Sequence, residues 1–169
     1  MEGSNTQPPV AVLLGSKSDL DYGNETMDAL ASLGVDAEIK ILSAHRSPDA
    51  ARDFTRSAAG NGVKIIIALA GAAAHLPGVV AAWTQLPVIG VPLPTSELRG
   101  VDSLHAIVQM PGGIPVATMA IGTAGARNAA LFAAEILALN DAGIAEALRQ
   151  QRAELTRKVL ADSAGLAAR

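Results

Sequence analysis

Residues 65–84 read IIIALAGAAAHLPGVVAAWT, twenty positions without a formal charge. One helix of that length and character would be long enough to cross a bilayer. The interior of the stretch argues otherwise, because Gly71, His75, Pro77 and Gly78 sit in its middle. A strand over Val63–Leu69, a turn of small residues and a helix over Leu76–Trp83 account for all four. The strand is a continuous apolar run with no polar alternation, which marks a parallel strand covered on both faces.

Working outward, the same alternation of apolar run and amphipathic segment repeats along the chain, the signature of βαβ units. Further strands are expected at Val10–Leu14, Ala37–Leu42, Pro87–Val91 and Val116–Ala120. Helices are expected at Leu20–Leu33, Pro48–Ala59, Ser103–Val108 and Ala124–Leu139. The punctuation agrees: Ser18 is placed to cap the first helix and Gly34 to stop it. Ser47-Pro48 reads as N-cap and N1 proline, and Asn61-Gly62 ends that helix. A last helical pattern over Gly143–Leu160, after a break at Asn140-Asp141, either folds back or crosses to a neighbouring subunit. The expected organisation is an extended or disordered tail over 1–9, one α/β domain over 10–140 and a C-terminal helical extension over 141–169.

Composition narrows the partners. Among 169 residues, 50% are apolar but only 2% aromatic, so aliphatic and alanine side chains must fill the core. A net charge of −3, with one Trp, one Tyr and two Phe, gives neither the basic footprint nor the stacking surfaces that nucleic acid requires. Cysteine is absent, which excludes disulfides, thiolate chemistry and sulfur-ligated metal. Met1–Pro9 lacks the basic and apolar regions of a secretion signal, so a cytoplasmic protein with no membrane partner is expected.

Doubly wound sheets bind ligands at the carboxyl ends of their strands. Four loops lie there. Gly15-Ser16-Lys17-Ser18-Asp19 opens the first helix, where N–H groups and two hydroxyls suit a phosphate and Asp19 suits a ribose diol. A capped helix start with no ligand reads equally well from those residues. Ser43-Ala44-His45-Arg46-Ser47-Pro48 sets a group that titrates near neutral pH beside a fixed cation. Ala70-Gly71-Ala72-Ala73-Ala74-His75-Leu76-Pro77-Gly78 lets a ligand lie against backbone, with His75 either chemical or a brace for a neighbouring loop. Pro92-Leu93-Pro94-Thr95-Ser96-Glu97 reads as a pocket wall or a subunit contact. His105, within a helical pattern, reads as structural or exposed. No P-loop, HExxH zinc motif or nucleophile elbow is present, and a single histidine without a triad points to proton transfer.

These loops, in this order, resemble the N5-carboxyaminoimidazole ribonucleotide mutase family of purine biosynthesis. The resemblance runs from Val10 to Leu139. It also includes Pro87-Val88-Ile89-Gly90-Val91-Pro92, Asp102-Ser103-Leu104, Ile107-Val108-Gln109-Met110-Pro111 and Ala120-Ile121-Gly122. It implies a flavodoxin-like three-layer sandwich with a central parallel sheet, assembled as a homo-octamer. The implied substrate is a ribonucleotide whose amine carries a carbamate, with no cofactor and no metal. Family contacts to phosphate and ribose fall on Ser16, Ser18, Asp19 and Arg46, and the general acid/base falls on His45. Ser43, Ala44, Ala70, Gly71, His75 and Leu76 fall around the imidazole and its carboxylate. The family usually has glycine at Leu69 and Ala72, so the pocket is expected to differ in shape here.

Competing readings are an aminoimidazole ribonucleotide carboxylase using free CO2 and a non-catalytic flavodoxin-like nucleotide-binding module. The carboxylase branch typically carries lysine after the histidine, where this chain has Arg46. A phosphorylation receiver would need an Asp where the third strand ends in Ala70-Gly71, and a flavin module would need aromatic flanks.

Overall fold

The computed structural model describes residues 7–167. Strands β1 (Val10–Leu14), β2 (Ala37–Ile41), β3 (Ile65–Gly71), β4 (Val88–Leu93) and β5 (Ala117–Thr118) form one parallel sheet in the order β2-β1-β3-β4-β5. Helices α1 (Leu20–Ser32), α2 (Pro48–Ala58), α3 (Leu76–Trp83), α4 (Val101–Val108), α5 (Thr123–Ala138) and α6 (Ala142–Ala167) complete it. This is the flavodoxin-like order, whose switch point lies between β1 and β3.

The two-residue strand period divides the core. Val10, Val12 and Leu14 face one side with Ile65, Ile67 and Leu69, against Leu30 of α1 and the alanines of α5. Ala11, Leu13, Ile66 and Ala68 face the other, against Ala58 of α2, Val80 of α3 and Ile107 of α4. Burying one such Leu or Ile stabilises the fold by roughly 1.5–3 kcal/mol. Because α5 presents Ala126, Ala129, Ala130, Ala133 and Ala134, it lies close to its neighbours. The Thr26 hydroxyl of α1 accordingly reaches the Ala126 carbonyl at 3.2 Å.

Several expectations are corrected. Residues 65–84 divide between β3 and α3, but β3 begins at Ile65 and reaches Gly71. The Val63 N–H closes the end of α2 on Ala58 O at 3.0 Å instead of joining the sheet. β5 is a two-residue edge strand, well short of Val116–Ala120. α4 starts earlier than expected, at Val101 behind Gly100, whose φ is +90°. Ser18 does not cap α1; Ser16 caps a 3-10 turn over Lys17–Asp19 that leads into the helix. Ser47 stands before Pro48 but its hydroxyl turns back to Ser43, so it does not cap α2. Gly34 (φ +71°) and Gly62 (φ +100°) supply the left-handed stops expected of them.

Of the expected tail, residues 1–6 lie outside the described residues. Gln7 and Pro9 are already pinned, with Gln7 N–H donating to Asn61 O at 2.7 Å and Lys64 N–H to Pro9 O at 2.8 Å. α6 is longer than its apolar pattern. Asp141 Oδ1 caps it, accepting from Gly143 N–H at 2.9 Å and Ile144 N–H at 3.1 Å. Its first turns fold back, packing Ile144, Ala147 and Leu148 against the α5 side of the core. Past Gln151 its described side chains are all exposed. No helix among the described residues is long and apolar enough to cross a membrane.

Candidate active site

Three loops from the carboxyl ends of β1, β2 and β3, with one residue from the loop after β4, enclose a cleft of about 280 Å³. After β1, Ser16 is extended and its hydroxyl accepts from Ser18 N–H at 3.4 Å. The Ser18 hydroxyl donates to Asp19 Oδ1 at 3.2 Å. Asp19 is only 4% exposed. Burial pushes its carboxyl above the ordinary 3.8, while the Ser18 hydroxyl, the Ser16 backbone N–H and the Arg46 guanidinium offset part of the rise.

After β2, Ser43 organises the turn. Its Oγ accepts from His45 N–H at 3.3 Å and Arg46 N–H at 3.1 Å, and its own N–H donates to Ser47 Oγ at 2.9 Å. Arg46 then bridges two loops by donating from Nη2 to Gly15 O at 2.8 Å. A guanidinium has five N–H donors, so this bond leaves others for an anion.

After β3, Ala72 takes φ +50°, and the chain closes tightly through Ala74 N–H to Ala72 O and His75 N–H to Ala73 O, both 2.8 Å. α3 begins directly after His75, with Pro77 in its first turn. The His75 ring meets His45 edge-on at 83°, with His45 Nε2 2.8 Å from His75 Nδ1. One proton lies between the two rings, and which nitrogen owns it depends on the tautomer.

Ser16, Ser18, Asp19, Ser43, Ala44, His45, Arg46, Ala70, Gly71 and Leu76 therefore line one cleft, along with Gly15 and Ala73. His75 is not in the lining; it stands behind His45 as its hydrogen-bond partner. His105 is exposed on α4. Thr95 lines the cleft and was not singled out in the sequence. Its proline-flanked loop carries no motif, and only the fold brings it over Gly71. Among the described residues, no group of three His, Asp or Glu stands where it would hold a metal ion. The arrangement offers hydroxyls, a buried carboxyl and a guanidinium at one end. At the other it offers small apolar walls, with a titratable ring between.

Known proteins resemble this chain over most of its length. A family model described as AIR carboxylase matches residues 9–158. The N5-carboxyaminoimidazole ribonucleotide mutase of Pseudomonas aeruginosa is 54% identical over 151 residues, covering 89% of this chain and 93% of its own. The enzyme of that name from Bacillus subtilis is 50% identical over 157 residues, covering 93% and 97%. The crystal structure of Treponema denticola PurE superposes with a TM-score of 0.85 at 28% identity, covering 93% of this chain and 97% of that one. The matched span contains every strand of the sheet and every loop of the cleft, and the chain belongs to the AIR carboxylase family.

Proposed function

We propose that this protein is an N5-carboxyaminoimidazole ribonucleotide mutase, an isomerase of de novo purine biosynthesis that moves the carboxylate from the exocyclic nitrogen to the ring carbon. The observation that carries the reading is the position of His45, between an end of hydroxyls, a buried carboxyl and a guanidinium and a small apolar end. Relatives named for this activity match across most of both lengths.

Each group then has a task. Ser16, Ser18 and Arg46 hold the phosphate at a helix entrance, and Asp19 accepts from the ribose hydroxyls. His45 protonates the carbamate nitrogen, the C–N bond breaks and CO2 is released beside the ring. The electron pair of the ring carbon attacks that CO2, and His45 takes back the proton which that carbon must lose to restore aromaticity. Protons balance over the cycle, so no metal, ATP or biotin is needed. Ser43, Ala44, Ala70, Gly71 and Leu76 surround the imidazole and keep CO2 within reach. His75 holds the His45 ring in place.

The reading extends to the assembly. We place this enzyme in a homo-octamer, supported by exposed apolar side chains such as Phe132, Leu139, Leu155, Val159 and Leu160. The α/β domain over 10–140 holds the cleft, and the part of the helical extension past Gln151, exposed in this chain, serves subunit contacts. A phosphorylated substrate does not cross a bilayer unaided, which supports a cytoplasmic enzyme that works where its substrate is made.

Ultraviolet absorbance of the carboxylated imidazole tests the reading. Chelator-treated protein without ATP should convert the N5-carboxy nucleotide, and His45→Asn should lose at least ~10²-fold in turnover while keeping its fold. A variant retaining more than about a tenth of the wild-type rate would contradict the assignment of His45.

A further inference from the structure

Thr95 stands apart from the loop that carries it. The segment between β4 and α4 is braced throughout. Pro92 and Pro94 fix their own φ angles. The buried Ser103 hydroxyl donates to Leu93 O at 2.7 Å, Gly122 N–H donates to Pro92 O at 2.9 Å, and Ser96 accepts from Leu98 N–H and Arg99 N–H at 3.2 and 3.0 Å. Thr95 takes no part in this network. Among the described residues its hydroxyl has no hydrogen-bond partner, and its side chain is exposed in the wall of the cleft.

Its position is fixed from the other side by Gly71. A Cβ added to Gly71 would come within 1.6 Å of Thr95 Oγ1 and 2.9 Å of Thr95 Cβ. The threonine therefore rests on the bare Cα at the end of β3, and it rests there only because that residue is glycine. This is the end of the cleft formed by Ala70, Gly71, Ala73 and Leu76, which supply methyl groups and backbone. A carboxylate entering such a place loses water and needs a donor in return. The remaining donors of Arg46 serve the phosphate at the other end, and His45 changes protonation during the reaction, so neither is a constant anchor there. A neutral hydroxyl on a braced loop is.

We propose that the Thr95 hydroxyl donates a hydrogen bond to the substrate carboxylate and makes the cleft prefer carboxylated over uncarboxylated aminoimidazole ribonucleotides. The proposal rests on the mutase reading and names the residue that tells substrate from its decarboxylated form.

Calorimetry with both nucleotides tests it. Thr95→Val keeps the shape and removes the donor; Thr95→Ser keeps the donor. Thr95→Val should bind 4-carboxy-5-aminoimidazole ribonucleotide about 10-fold more weakly, the worth of a hydrogen bond to a charged group. Its affinity for aminoimidazole ribonucleotide should not change. Thr95→Ser should restore the preference, and both variants should melt as the wild type does. Equal losses for the two nucleotides, or no loss for either, would overturn the assignment of Thr95 alone. Wild-type protein that binds neither nucleotide would overturn the mutase reading and this proposal with it.

Discussion

Asp19 shows what the site costs the fold. Its carboxyl is buried, and burial holds its pKa above the ordinary 3.8 despite help from Ser18, the Ser16 N–H and Arg46. The folded chain thus binds that proton more tightly than the unfolded chain does. Ionising Asp19 weakens the fold as pH rises through the raised value, and the cost is absent below 3.8. Asp19→Asn should therefore melt above the wild type near neutral pH, with the gap closing as the pH falls towards 3.8. It should also bind the ribonucleotide about 10-fold more weakly, since a charged acceptor is lost. Melting scans across pH and calorimetry check the two halves; a variant less stable than wild type at neutral pH would refute the burial argument. The polar residues of the cleft were legible in the sequence, because a polar residue straight after a parallel strand is already close to a ligand site. Ala70, Gly71 and Leu76, in contrast, were assigned as its walls only through the family resemblance. His75 was legible only as a choice between chemistry and bracing, and its ring now stands 2.8 Å from His45 Nε2. Thr95 was legible only as part of a loop read as a pocket wall or a subunit contact, since what singles it out is Gly71 on another strand.

The elements differ in how plainly they read, for a physical reason. β1 and β3 are buried on both faces, so both appear as unbroken apolar runs. β2 is an edge strand whose Glu38 and Lys40 pair at 2.7 Å on one face, and β5 is an edge strand reduced to two residues. Edges need less apolar sequence and leave weaker marks. α6 outran its apolar pattern because its second half packs on nothing among the described residues and forms on propensity and ion pairs such as Arg157 with Glu154. The loops after β3 and β4 each hold one non-glycine residue at positive φ, Ala72 and Arg99. Ala72 holds φ +50°, a conformation that costs an L-residue roughly 1–2 kcal/mol. Ala72→Gly should relieve that strain and, after the added chain entropy of glycine, raise stability by about 0.5–1 kcal/mol. Urea unfolding measures this, and a loss of stability would show that the alanine methyl group is held by packing worth more than the strain.

The whole molecule has more apolar surface than one chain of this size hides. Leu139 is 80% exposed and Leu166 71%, and the described side chains in the second half of a helix about 39 Å long are all exposed. The proposed octamer gives these surfaces a partner. Sedimentation equilibrium should report a mass of eight 17.1-kDa chains, whereas a stable monomer at micromolar concentration would contradict the assembly.

Isotope retention decides whether the cleft itself returns the released CO2 to the ring. The N5-carboxy nucleotide, labelled with 13C in its carbamate, is converted by the protein in a buffer rich in unlabelled bicarbonate, and the product is analysed by mass spectrometry. Most of the label should stay in the product carboxylate, because small apolar walls and His45 complete the transfer before CO2 escapes. Product carrying the unlabelled carbon of the buffer would contradict it, and would assign the chain instead to carboxylation by free CO2.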